Sequence, residues 1–154
     1  MTGQPRELAD RIDAILPSLP LLDRPDAIGE WQGGQKDEHG VIHMPWFEFR
    51  QEMLAFLRAL GMNGWVAPFD WVQWQEEAAR YADPARLAQA DVETIGKLFT
   101  TYVRRNRFVE GSLAGEAERG QLAAIVRRLG EIRDYPHVTA AIPASPTASL
   151  RGAG

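Results

Sequence analysis

The residues best equipped for chemistry stand in one run, Arg104-Arg105-Asn106-Arg107-Phe108-Val109-Glu110-Gly111. Arg104, Arg105 and Arg107 offer forked guanidinium donors that match carboxylate or phosphate oxygens two at a time. Asn106 adds an amide, and Glu110 adds a carboxylate that could act as acid or base. Gly111 lets the backbone take a positive φ or approach a ligand closely. A helix beginning near Ser112 would turn the positive end of its dipole toward this corner, so an anion site is chemically reasonable. The same residues also read as an internal brace, with an arginine paired to Glu110, Phe108 in the core and Gly111 making a turn.

A second set is aromatic. Eight of the fourteen aromatic side chains fall between Trp46 and Trp74. Most are expected in the core, because aromatics carry so much of a small domain's burial. Trp71 and Trp74 are the candidates for a pocket rim, where an indole stacks on a ligand and its N–H still finds a partner. Asp70, just before them, is a weak candidate for acid–base work beside Glu110. His39 and His43 lie next to Asp37 and Glu38, but Gly40 and β-branched residues between and beside them argue against a helix. On a strand the two imidazoles would stand about 13 Å apart, too far to share an ion. No metal site and no cofactor are expected. Gly33-Gly34-Gln35-Lys36 lacks the spacing and the hydroxyl of a phosphate loop, and no nucleophile elbow is present.

These residues need elements to hold them. Leu8, Ile12, Ile15, Leu16 and Leu19 mark a first helix over 5–19, stopped by Pro17 and Pro20. Gly29–Gln32 and Val41–Met44 read as the strands of a hairpin around a Gly-rich loop. Phe49, Met53, Phe56, Leu57 and Leu60 mark a helix from about Glu48 to Leu60, with Gly61 as its terminating residue. Asp70 and Gln73 form a capping-box pattern, with Phe69 and Trp74 as a hydrophobic staple, for a helix ending near Ala82. Asp83-Pro84 opens a short helix. Asp91 caps the strongest one, whose stripe is Val92, Ile95, Leu98, Phe99, Tyr102 and Val103. Its last turn carries Arg104 and Arg105, where positive charge complements the dipole. Ser112 is read as the cap of a short helix, and Leu122, Ile125, Val126, Leu129 and Ile132 mark the last one. The fold expected is mainly α: a compact single-domain bundle of about five to six helices with a small β-hairpin near residues 29–44. Residues 1–133 form that domain, and 134–154 an extended or flexible tail rich in small residues and proline.

The chain of 154 residues has 45% hydrophobic and 25% charged residues and no cysteine. Disulfides, thiolate metal sites and cysteine nucleophiles are thereby excluded. The net charge of −4 conceals a division between an acidic first part, up to Gly96, and a basic region from Lys97 to Arg133. Either the two neutralise each other across an interface or the basic region is a binding surface. A helix–turn–helix over 92–119 is disfavoured by a long joint and by the acidic surroundings, so nucleic acid is not expected as a partner. The first residues lack the apolar core of a signal peptide, and no run is long enough to span a membrane, which points to a soluble cytoplasmic protein.

Several segments resemble a known family. EWQGGQKDEHGVIHMPW, then GWVAPFDWVQWQEEA, then the stretch from Asp91 to Leu113 with Arg104, Arg107, Phe108, Glu110 and Gly111, then a leucine-rich helix ending Arg127-Arg128-Leu129, stand in the order of an uncharacterised bacterial family of unknown function, numbered sixty-five-oh-eight. The resemblance covers about Leu8 to Arg133 and implies no activity, cofactor or partner. Two functional expectations follow from the residues. The first is a non-enzymatic binding or accessory module that recognises a protein or a small anionic ligand through the Arg104–Gly111 corner. The second is a small enzyme with a pocket between the Trp-rich segment 65–74 and that corner, with Glu110 or Asp70 as acid/base and the arginines holding an anion.

Overall fold

A computed structural model describes residues 4–135. From residue 136 onward the expected C-terminal tail lies outside the described residues. The element order is α1 (Gln4–Asp13), α2 (Leu19–Leu22), β1 (Gly29–Gln32), β2 (Trp46–Phe49), α3 (Gln51–Met62), α4 (Gln75–Arg80), α5 (Pro84–Leu87), α6 (Val92–Asn106), α7 (Ser112–Glu118) and α8 (Gln121–Asp134). The fold is mainly helical with one small antiparallel sheet, as the periodicities require. No helix among the described residues is long and apolar enough to cross a membrane.

The core is built from the expected stripes. Ile12 and Ile15 from the first segment, Met53, Phe56 and Leu60 from α3, Ile95, Leu98 and Phe99 from α6, and Ile125, Val126 and Leu129 from α8 are all buried. Burying a side chain of this size contributes about 1.5–3 kcal/mol relative to leaving it in water. Trp65 is fully buried at the centre of this packing, edge-on to Phe99 with ring centroids 6.1 Å apart. Its indole N–H donates to the Arg11 carbonyl at 3.0 Å, and the Arg11 guanidinium lies 4.3 Å over its ring. The Trp65 carbonyl accepts from Thr100 Oγ1, which in turn accepts from the Ala67 N–H at 3.0 Å. One tryptophan thus ties α1, the segment after α3, and α6 together.

Several boundaries differ from the sequence reading. The first helix stops at Asp13 and gives way to a 3-10 turn at Leu16–Ser18 and the single turn α2, because Pro17 and Pro20 break the helical hydrogen bonding earlier than the apolar stripe suggests. The second strand is Trp46–Phe49, not Val41–Met44, and α3 starts at Gln51 rather than Glu48. Val41–Met44 is exposed, and there only Ile42 makes a lone bridge to Lys36. The pairing that wins sets Trp31 against Phe47 and Gly29 against Phe49. It places Trp31 edge-on to Phe47 at 5.7 Å and Phe47 edge-on to Phe49 at 5.3 Å, a stabilising aromatic set that a Val–Ile strand could not supply. Finally, α3 runs past Gly61 to Met62, and the glycine at positive φ that follows it is Gly64 (φ +76°).

The long helix α6 begins as expected: Asp91 Oδ1 accepts from the Thr94 N–H at 2.8 Å, a side-chain cap that satisfies one of the otherwise unpaired first-turn donors. Its far end delivers Arg104, Arg105 and Asn106 to the corner that joins it to α7.

Candidate functional site

The corner is held by a short relay of side chains. Arg107 closes α6, its N–H donating to the carbonyls of Arg104 and Arg105. Gly111 stands at the N-cap of α7 with φ +82° and therefore brings no side chain to cap the helix. Asn106 supplies the missing acceptor: its Oδ1 takes the Leu113 N–H at 3.0 Å. Ser112, expected to be the cap, is instead the first helical residue, and its hydroxyl oxygen is buried with no partner among the described residues. The Leu113 N–H, which an anion at this helix end would need, is taken by the protein's own amide.

Glu110 and Gly111 seat the hairpin. The Glu110 carboxylate accepts the backbone N–H of Phe47 at 2.7 Å. In an antiparallel pair hydrogen-bonded and non-hydrogen-bonded residue pairs alternate. Arg50 N donates to the Ile28 carbonyl, so two residues further along each strand Glu30 and Glu48 form the next bonded pair, while Trp31 and Phe47 fall between. The Phe47 N–H therefore faces away from β1, and Glu110 satisfies an edge donor that no third strand reaches. Beside it the Trp31 ring lies directly on Gly111: an added Cβ there would come within 2.3 Å of the indole. The brace expected at this corner exists, but with different partners. Glu110 holds a strand rather than an arginine, and Phe108 is outside the core, 77% exposed.

The other candidates are placed as follows. Trp71 is half-buried and stacks on Phe108, with centroids 5.9 Å apart and planes 28° apart, so one tryptophan of the rich segment does touch the arginine corner. Trp74 is half-buried, edge-on to Phe69 and stacked on Tyr81. The Phe69–Trp74 staple is present, and Asp70 Oδ1 accepts from the Gln73 N–H at 3.3 Å, yet the helix starts only at Gln75. Three residues apart on a helix, Trp71 and Trp74 would share a face; here they pack against different neighbours, and a turn separates them. Asp70 and Glu110 are both exposed and both accept from backbone N–H groups.

Electrostatically the basic region divides in two. On α8, one guanidinium nitrogen of Arg127 donates to both carboxylate oxygens of Asp23 at 2.5 Å, and Arg133 pairs with Asp13, so this part does neutralise the acidic N-terminal segments. Arg104, Arg105 and Arg107 make no ion pair among the described residues. Arg104 and Arg105 are half-buried and Arg107 is exposed. Phe108 and Val109 stand exposed next to them in the chain, and Trp31 (52% exposed) rests on Gly111 at the same corner. Arg104, Arg107, Glu110 and Asp70 do not line the clefts described between α4, α6 and α7, beside α5, beside Trp65, or along the hairpin. Arg105 lines one, a cleft between α4, α6 and α7.

Sequence reasoning missed Trp31 and Tyr102. Trp31 sits in a polar stretch, and only the strand register brings it to Gly111. Tyr102 fits the apolar stripe of α6, which hides the fact that it lines a cleft. His39 and His43 gather no metal-ligating cluster among the described residues. Instead Asp37 organises their loop, accepting from the N–H groups of His39 and Val41 and bonding to the His43 ring.

A search of curated proteins and of solved structures finds no match to this chain. The model of one family matches residues 7–135, from within α1 to the end of α8, and the chain belongs to that family, a family of unknown function (DUF6508).

Proposed function

We infer that this protein is a non-enzymatic recognition module whose Arg104–Gly111 corner binds an acidic, apolar-anchored segment of a partner protein. The observation that supports this most is the combination at one corner of arginines without ion-pair partners and large exposed apolar side chains. Arginine and aromatic residues are the types that dominate binding energy at protein interfaces. Phe108, backed on one side by Trp71, is a prearranged anchor that needs little further ordering on binding. Arg104 and Arg107 beside it would meet carboxylates on the partner and set its direction. Glu110 and Asn106 work behind this surface: they hold the hairpin and α7 so that the exposed groups keep their places. The enzymatic alternative needs Asp70 and Glu110 over a common cavity, and no observation favours it.

Selection from a random peptide display library tests the reading, with counter-selection on the Phe108→Ser/Arg107→Glu double variant. Enriched peptides should carry Asp or Glu beside an aliphatic or aromatic anchor. They should bind Phe108→Ser about 30-fold more weakly, the loss typical of removing an interface hot spot. A selection that yields no peptide distinguishing wild type from the double variant rejects the corner as a recognition surface.

A further inference from the structure

A second site lies on the other side of α6, in a cleft of about 260 Å³ closed by α4 and α7. Its apolar wall is made of Ala78, Ala79 and Ala82, side chains too small to fill the space they face. Arg105 reaches it from the last turn of α6, with no carboxylate paired to it among the described residues. On the α7 side Arg119 is already joined to Glu116 at 2.6 Å. Between these groups stands Tyr102, buried except for 7% of its surface.

The hydrogen bonding of Tyr102 is one-sided. Gln121 Nε2 reaches its oxygen at 3.3 Å and also the Tyr81 carbonyl at 2.8 Å. An amide nitrogen can only donate, so the phenol oxygen accepts and its own proton is left to point elsewhere. No acceptor for that proton is found among the described residues. Burial, with Glu116 adding to it, pushes the phenol up to about 12, so the hydroxyl keeps its proton as a donor throughout the physiological range. Tyr102 lines the same cleft as Arg105, which has no ion-pair partner among the described residues.

We propose that this cleft binds a small organic carboxylate, its oxygens taken by the Arg105 guanidinium and the Tyr102 hydroxyl and its short apolar end laid against Ala78, Ala79 and Ala82. The volume falls below the roughly 300–1,000 Å³ of drug-sized sites, which limits the ligand to a short chain. The cleft is distinct from the exposed corner of Arg104, Arg107 and Phe108 and does not depend on a protein partner being bound there.

The test is a titration of the full-length protein with sodium butyrate, followed by NMR of the alanine methyl and tyrosine ring signals, beside a parallel titration with inorganic phosphate. Butyrate should saturate with a Kd of about 1 mM and shift the signals of Ala79 and Tyr102. Arg105→Gln and Tyr102→Phe should each weaken it about tenfold or more. Ala79→Leu, at an exposed position that tolerates bulk, should abolish binding by filling the cleft, while Arg107→Ala leaves it unchanged. Absence of saturation in the wild type overturns the proposal. So does phosphate binding as tightly as butyrate, or butyrate binding that survives Ala79→Leu.

Discussion

At the scale of single residues, Gly111 is the position where sequence and structure are bound most tightly. Its φ of +82° is left-handed, and the Trp31 ring fills the space where a side chain would begin. Gly120 is the natural control, since it has φ +79° with nothing within 4 Å of an added Cβ. Gly120→Ala should therefore cost only the backbone strain, about 1–2 kcal/mol. Gly111→Ala adds displacement of a packed indole and should cost about 2–4 kcal/mol. Urea unfolding followed by circular dichroism gives both values, and a red shift of tryptophan emission should accompany the Gly111 variant alone. Equal losses at the two glycines would mean that Trp31 does not rest on Gly111. Glu110→Ala should cost about 1 kcal/mol, the worth of one hydrogen bond to a charged acceptor at an exposed edge. Its more telling effect is local: amide exchange at Phe47 should accelerate while the helices keep their protection. That Glu110 and Gly111 are special was legible in the sequence. What they hold was not, because their partners Phe47 and Trp31 are far away in the chain, and nothing local marks the pairing.

At the scale of elements, the helices followed from their period, and the hairpin was misplaced where two periods overlapped. Phe47 and Phe49 obey the two-residue period of a strand, yet Phe49, Met53 and Phe56 also continue the stripe of α3. Helix and strand therefore competed for the same residues, and the aromatic pairing with Trp31 decided in favour of the strand. Val41-Ile42 has the better β propensity but no core to face, which is why propensity misled. The joint between α6 and α7 shows the converse, a cap supplied from outside its own helix. Asn106 caps α7 from the end of α6 because Gly111, required by Trp31, has no side chain to do so. Asn106→Ala should thus destabilise the protein by about 1 kcal/mol and raise exchange at Leu113. Asn106→Asp should retain the stability, since a carboxylate accepts the same N–H. If both substitutions cost the same, the amide contributes packing rather than a cap.

At the scale of the whole molecule, charge and burial separate two parts of the basic region. Arg127 and Arg133 of α8 are spent internally on Asp23 and Asp13, exposed pairs that salt should screen and that contribute little to stability. Among the described residues the arginines at the end of α6 carry no such pairs, as the two proposed binding surfaces require. Tyr102, beneath Arg105 and between α4, α7 and the start of α8, links this surface to the stability of the fold. Its phenol, pushed up to about 12 from an ordinary value of 10.0 by burial first and by Glu116 second, is held neutral in the folded state. In the unfolded chain it ionises near pH 10, so between pH 10 and 12 the unfolded state binds fewer protons than the folded one. The preference for neutral Tyr102 leaves stability unchanged below pH 10, and stability falls as pH rises toward 12. Two units correspond to about 2–3 kcal/mol lost across that window. Tyr102→Phe removes this dependence while keeping the ring in place and Gln121 bonded to the Tyr81 carbonyl. Unfolding free energies at pH 9 and pH 11.5 should therefore fall more steeply for the wild type than for the Phe variant. Ultraviolet titration of the folded protein should show a late tyrosine ionisation that Tyr102→Phe removes. If wild type and variant lose stability in parallel, the phenol is not buried against the fold, and the donor assigned to the cleft is lost with it.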